Sequence, residues 1–196
     1  MITPEALRRV VTHPTGASSD FDLNPGAASG TRLLRPAAVL VAVCNRPCGA
    51  GVILTKRSSR LAHHPGQIAF PGGKIEVEDT GPEAAALREA REEIGLDPAS
   101  VQLLGCLPAH ETVTGFRVTP VLGLITDDFI ARPEPGEVDE VFAVPLAHLA
   151  DPACYRIEAR LWRGQWRRYY AVPFGPYYIW GATARILRGL AEGLQQ

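Results

Sequence analysis

Phe70-Pro71-Gly72-Gly73-Lys74-Ile75-Glu76-Val77-Glu78-Asp79-Thr80-Gly81-Pro82-Glu83-Ala84-Ala85-Ala86-Leu87-Arg88-Glu89-Ala90-Arg91-Glu92-Glu93-Ile94-Gly95-Leu96 decides how this chain reads. A Gly-rich turn precedes a helix. Glu89 follows Gly73 by sixteen residues, with Glu92 and Glu93 close behind. Thr80 has the character of an N-cap, and Glu83 three residues later completes a capping-box pattern. Pro82 suits the first turn, where its missing N–H would have no intrahelical partner. Ala84 to Leu87 are strong helix formers, and Gly95 is a natural stop. The pattern predicts a helix over 82–94. At about 100° per residue, Glu89, Glu92 and Glu93 fall within an arc of roughly 100°. Ala86, Leu87, Ala90 and Ile94 fill the adjacent arc and are expected to face a core. Ala85 is expected in line with the carboxylates, small enough for a ligand to approach the helix.

Glutamates on a helix ordinarily form a solvated face. Here Glu89 and Glu93 are like charges at i and i+4, a repulsion of about a few tenths of a kcal/mol unless a cation lies between them. Arg88 and Arg91 project to one side of the stripe. Hard oxygen ligands this close together suit Mg²⁺ or Mn²⁺. Gly72 and Gly73 let the backbone approach the same ion or a phosphate.

These residues resemble the Nudix box, Gly-x5-Glu-x7-Arg-Glu-apolar-x-Glu-Glu-x-Gly-apolar. Gly73, Asp79 and the run Arg88 to Leu96 occupy its positions. Two departures are visible: Asp79 replaces the first Glu, and eight residues instead of seven separate it from Arg88. Both look like the coenzyme A diphosphatase branch of the family. So do the flanks. Ile53-Leu54-Thr55-Lys56-Arg57-Ser58 through Gly66 and Phe70 to Gly73 resembles Leu-Leu-Thr-x-Arg-Ser-x3-Arg-x3-Gly-x3-Phe-Pro-Gly-Gly. One fixed residue differs: the second Arg falls on Ala62, with Arg60 two residues away. Thr114 to Val121 and Trp180 to Ala184 extend the resemblance over roughly residues 36–190.

The resemblance implies roles. Glu92 and Glu93 are the expected metal ligands, and Gly73 adds its backbone carbonyl. Glu89 is either a third ligand or the general base for water. Arg88 orients a glutamate by ion pairing. Asp79 either shares in the site or supports the helix N-terminus. Lys56, Arg57 and Arg60 form a basic cluster suited to phosphate, with Gly72 beside it. A further acid from a distant loop is expected; Glu137 or Glu140 are candidates, with Asp139 as an outsider. His63-His64 lacks a neighbouring carboxylate or Cys to complete a transition-metal set, which favours a loop role or ligand contact. The implied reaction is metal-dependent hydrolysis of the diphosphate bridge of coenzyme A or acyl-coenzyme A. Its products would be 4′-phosphopantetheine, or its acyl form, and adenosine 3′,5′-bisphosphate. Ala62 keeps other nucleoside diphosphate derivatives open: ADP-ribose, a dinucleotide or a nucleoside triphosphate. A non-catalytic ligand-binding module is the remaining alternative, opposed by the presence of all three glutamates.

The rest of the chain fits a single enzyme domain. Its 196 residues carry a formal net charge of −1, which makes no electrostatic case for nucleic acid. No apolar run reaches transmembrane length. Met1 to Val11 carries Glu5, Arg8 and Arg9 and does not read as a secretory signal. Cys44, Cys48, Cys106 and Cys154 lack paired metal spacing and are expected as thiols in a reducing compartment, hence a cytoplasmic location. The expected partner is a small-molecule diphosphate, with neither nucleic acid nor membrane; a homodimer is left open.

Along the chain, residues 1–31 read as a short helix and a connecting arm, and 32–196 as the catalytic domain with a C-terminal helix. Ala37–Val43 is an apolar run expected as a buried strand, with Val52–Lys56 as its antiparallel neighbour. Strands are expected at 101–107, at 117–126 with an interruption or edge at Pro120, and at 140–144. Tyr155–Leu161 and Gln165–Val172 should form a hairpin around Arg163-Gly164, and Tyr178–Glu192 a helix. Helices mixed with antiparallel strands suggest an α/β sandwich around a mixed sheet; the Nudix resemblance implies the same α/β/α fold.

Overall fold

A computed structural model describes residues 3–27, 32–45, 49–162 and 164–196. Cys48, Arg163 and part of the expected arm therefore lie outside the described residues. In chain order the elements are α1 (Pro4–Thr12), β1 (Ser18–Ser19), β2 (Arg35–Cys44), β3 (Gly51–Arg57), β4 (Ile68–Ala69), β5 (Gly72–Lys74), α2 (Pro82–Ile94), β6 (Val101–Cys106), β7 (His110–Glu111), β8 (Phe116–Ile125), β9 (Val138–Pro145), α3 (Leu146–Leu149), β10 (Arg156–Trp162), β11 (Gln165–Ala171) and α4 (Ala182–Leu194).

Among the described residues β1 to β9 form one mixed sheet, with the path β1-β7-β8-β2-β3-β4; β5 pairs with β2, β6 with β8 and β9 with β3. The centre is the parallel pair β2 and β8. The period of two sorts their side chains. Ala38, Leu40 and Ala42 pack with Ala85, Ala86, Ala90 and Ile94 of α2. Ala37, Val41 and Val43 pack with Leu7 and Val10 of α1 and Leu187 and Leu190 of α4. Both faces are covered, which is why residues 37–43 are apolar without alternation. The fold is the expected α/β/α sandwich.

Four local expectations are corrected. The N-cap of α2 is Gly81, with no side-chain cap, so Thr80 and Glu83 do not form a capping box. Ala85 is fully buried, because its row of the helix lies against β2 and β5 and leaves no room for a ligand. Pro120 neither interrupts β8 nor sits at an edge. Its carbonyl accepts the Leu107 N–H at 2.8 Å, where the partner of β8 changes from β6 to β7, so the missing donor falls at a break in the ladder. The last helix starts at Ala182, not Tyr178. Residues before it fold back on β11, where the Val172 N–H donates to the Ile179 carbonyl at 2.8 Å.

The arm is stitched to the sheet. Ser18–Ser19 pairs with His110–Glu111. His110 is fully buried, with Nδ1 2.9 Å from Ser18 Oγ and Nε2 3.1 Å from Asp20 Oδ1.

Candidate active site

Gly72 and Gly73 are squeezed between sheet and helix. A Cβ on Gly72 would lie 2.4 Å from the Ala38 carbonyl oxygen, and one on Gly73 would lie 2.3 Å from Glu89 Oε1. Only bare backbone lets β5 pair with β2 while α2 passes this close. The Gly72 N–H donates to Glu93 Oε2 at 3.1 Å, tying the turn to the helix.

Arg88 is the hub beneath these groups. Its guanidinium donates to Asp79 at 3.1 and 3.0 Å, to Glu89 Oε1 at 3.0 Å, to Glu92 Oε2 at 3.1 Å and to the Lys74 carbonyl at 3.1 Å. The fork on Asp79 is bidentate. It holds the Asp79 carboxyl below its ordinary range. Arg88 is not among the residues that line the adjacent cleft. Its bonds hold the carboxylates of Glu89 and Glu92.

That cleft, of ≈ 970 Å³, is lined by Glu89, Glu93 and Glu137 together with Gly72 and Gly73. Burial pushes the Glu89 carboxyl up, against the pull of Arg88. Burial pushes Glu93 up further, to about 7, opposed by the Gly72 N–H and by Arg57, whose Nη1 is 3.9 Å away. Glu137 adds like charge to both. A loop places it: the Arg132 and Glu134 N–H groups donate to the Ile94 and Glu93 carbonyls at 2.8 and 2.9 Å. These bonds satisfy carbonyls that the end of α2 leaves unpaired. Gly95 closes the same end with φ 69°, its N–H bonded to Ala90 and Arg91 carbonyls.

The other candidates divide by their place around the cleft. Arg57 faces the cleft with His63 and His64, whereas Lys56 and Arg60 are absent from its lining. Arg57 reaches Glu93, its Nη1 3.9 Å from Oε1. Glu140 accepts from the Tyr177 hydroxyl and Asp139 from the Ser59 N–H, so neither joins Glu137 in the cleft. Glu92 is 57% exposed, against 18% for Glu89 and 7% for Glu93.

Three cations of the cleft went unread in the sequence: Arg32, Arg35 and Lys74. Arg35 lies 4.0 Å over the Phe116 ring. Arg35, Ala37 and Val39 line the cleft at alternate positions of β2, so the parity of the 37–43 run was the available signal.

The residues fit a divalent ion. Crowded carboxylates pushed up by burial are relieved by a cation, and the donors are carboxylate and carbonyl oxygens, suited to Mg²⁺ or Mn²⁺. Among the described residues no three His, Cys, Asp or Glu side chains are gathered as a ligand set for a metal ion; Glu92 is bonded to Arg88.

An α/β/α fold with acids on α2, a diglycine turn against them and cations across the cleft is suited to hydrolysis of phosphorus-containing anhydrides. The NUDIX domain family matches residues 34–164. The Nudix hydrolase NudL of Escherichia coli O6:H1 is 43% identical over 157 residues, 80% of this chain and 81% of the relative. The NudL of Salmonella paratyphi B is 42% identical over 169 residues, 86% and 88% of the two chains. The crystal structure of RenU, a Nudix hydrolase from M. smegmatis, matches with TM-score 0.51 and 26% identity, over 64% of this chain and 79% of that one. A C. elegans Ap4A hydrolase shares the fold at TM-score 0.50 and 17% identity, over 57% and 80%. The chain belongs to the Nudix hydrolase family, whose members generally use divalent metal ions. Among the described residues no helix is long and apolar enough to cross a membrane.

Proposed function

We propose that the chain hydrolyses the diphosphate bridge of coenzyme A or its thioesters, releasing 4′-phosphopantetheine or its acyl form and adenosine 3′,5′-bisphosphate. One observation carries the diphosphate chemistry: Glu89, Glu93 and Glu137 share a cleft with Arg32, Arg35, Arg57 and Lys74. Acids that hold a cation face cations that hold an anion. The coenzyme A assignment is supported by the run from Ile53 to Gly73, which resembles that branch except at Ala62.

Glu93, Glu89 and Glu92, the carbonyl of Gly73, and Glu137 are the groups that would hold Mg²⁺ or Mn²⁺. Such an ion neutralises phosphoryl charge and lowers the pKa of bound water. Glu89 has a second capacity. Its raised pKa and its orientation by Arg88 suit a carboxylate that takes the proton of attacking water. Arg57, Arg35 and Lys74 hold the bridge oxygens, and Arg's planar fork matches paired oxygens. The protein chiefly positions and stabilises charge, as in phosphoryl transfer generally.

The test is a product assay over coenzyme A, acyl-coenzyme A, ADP-ribose and nucleoside triphosphates, with Mg²⁺ and with Mn²⁺. Coenzyme A species should be cut in the bridge with the highest kcat/KM. A clearly higher kcat/KM for ADP-ribose or a triphosphate would sink the coenzyme A assignment and leave the hydrolase standing.

A further inference from the structure

Beside the cleft lies a second cavity of ≈ 440 Å³. The two share His64, Val113, Thr114 and Trp162 in their walls, so they adjoin. The chemistry above makes no use of this space. Its walls combine the rings of Trp162, Tyr169 and Trp180 with the charges of Arg160, Arg167 and Arg168.

The β10–β11 hairpin supplies most of them, and its register is informative. Arg160 stands directly opposite Arg167. Like charges across an antiparallel pair repel unless an anion lies between them. Arg160 lies 5.3 Å over the Trp180 ring. The Arg167 guanidinium lies 5.1 Å from the Trp162 ring and 5.6 Å from that of Phe21. Its Nε and Nη1 are buried with no hydrogen-bond partner among the described residues. Buried donors on a charged group are costly when unpaired. Asp20 lines the same cavity, but its carboxylate is engaged: Oδ1 is 3.1 Å from His110 Nε2, and Oδ2 accepts the Val113 N–H at 2.8 Å. Asn24 clamps the hairpin to the arm, accepting from the Arg168 N–H and donating to the Arg168 carbonyl, both at 2.8 Å. The cavity is braced, aromatic and cationic.

We propose that this hairpin cavity is a subsite for a planar base carrying a phosphate monoester, the adenosine 3′-phosphate end of coenzyme A. This rests on the reading of coenzyme A as substrate. Trp162 and Trp180 stack on the base. Arg160 and Arg167 take the monoester, which paired guanidinium forks suit. The diphosphate bridge then lies in the cleft over Glu89 and Glu93. The hairpin thereby supplies cations that the loop around Ala62 does not.

Two measurements decide it. The first is calorimetric binding of adenosine 3′,5′-bisphosphate and of AMP, neither of which contains a diphosphate bridge. Wild type should prefer the bisphosphate by about tenfold or more, and Arg167→Met should erase that preference. The second is kcat/KM for coenzyme A relative to 3′-dephospho-coenzyme A. Arg167→Met should lower this ratio by about tenfold, through KM, with Arg167→Lys recovering part of it. Equal wild-type affinity for the two nucleotides overturns the subsite. So does a preference that survives Arg167→Met in a protein whose circular dichroism matches wild type. Arg160→Met provides an independent variant with the same expectation. If wild type cleaves no coenzyme A species, the substrate reading fails while the binding measurement still judges the subsite. A bisphosphate preference lost in Arg167→Met upholds it, and no preference overturns it.

Discussion

Glu93 concentrates the tension of the site in one side chain. It is 7% exposed, and burial raises its pKa from 4.5 to about 7. A carboxyl raised in the folded state favours folding below its unfolded pKa, and that contribution is lost as pH rises through the folded value. Without a divalent ion, stability should therefore fall between about pH 4.5 and pH 7, by on the order of 3 kcal/mol from this group. Glu93→Gln keeps an acceptor for the Gly72 N–H and removes the titration. Urea melts in EDTA should show the variant overtaking wild type by pH 8, and Mg²⁺ should restore wild type alone. An unchanged gap between pH 5 and pH 8 would refute the assignment. Catalysis moves the other way. Glu89→Gln, Glu92→Gln and Glu93→Gln should each lower turnover by more than about tenfold, since each replaces an anionic oxygen by an amide. If Glu89→Gln does so with unchanged Mg²⁺ affinity, its role is the base.

At the scale of elements, β5 and α2 act as a single unit, and two adjacent glycines separate stability from activity within it. In Gly72→Ala the methyl meets the backbone oxygen of Ala38, which has no freedom to yield. Thermal or urea unfolding should show a loss of about 1–3 kcal/mol. In Gly73→Ala the methyl meets the carboxylate of Glu89. That side chain can rotate, so the fold survives and kcat falls instead, as a misplaced catalytic group predicts. Equal effects on stability and activity in both variants would contradict this division.

Over the whole molecule, the N-terminal arm behaves as part of the sheet. Asp20 accepts from the Val113 N–H at 2.8 Å and pairs with fully buried His110. Asp20→Ala strands both partners and should destabilise the protein by about 1–3 kcal/mol in urea melts. A change within a few tenths would mean that the arm is dispensable. The network also explains why the attachment of the arm to the sheet was not legible in the sequence. Residues 15–27 are rich in small and polar residues, and their partners His110 and Val113 lie about ninety positions away.

What the sequence determined by itself was whatever local periodicity and spacing encode. The span of α2, its stop at Gly95, the buried strand at 37–43 and the glutamate stripe follow from neighbours within a few residues. The diglycine read as a close backbone approach to an ion or phosphate; that Ala38 and Glu89 leave no room for a side chain there is a tertiary fact. Tertiary structure decided the contacts between distant segments. Glu137, not Glu140, faces the cleft because the 126–137 loop caps α2, while Glu140 is held by the Tyr177 hydroxyl. Arg32 and Arg35 are fixed by the distant 113–116 segment, Arg32 donating to the Val113 carbonyl at 3.0 Å and Arg35 lying over the Phe116 ring. Capping failed as a guide at Thr80 because Gly81 can serve as N-cap without a side chain. Pro120 failed as a sign of an edge because the position of a ladder break is a property of the assembled sheet.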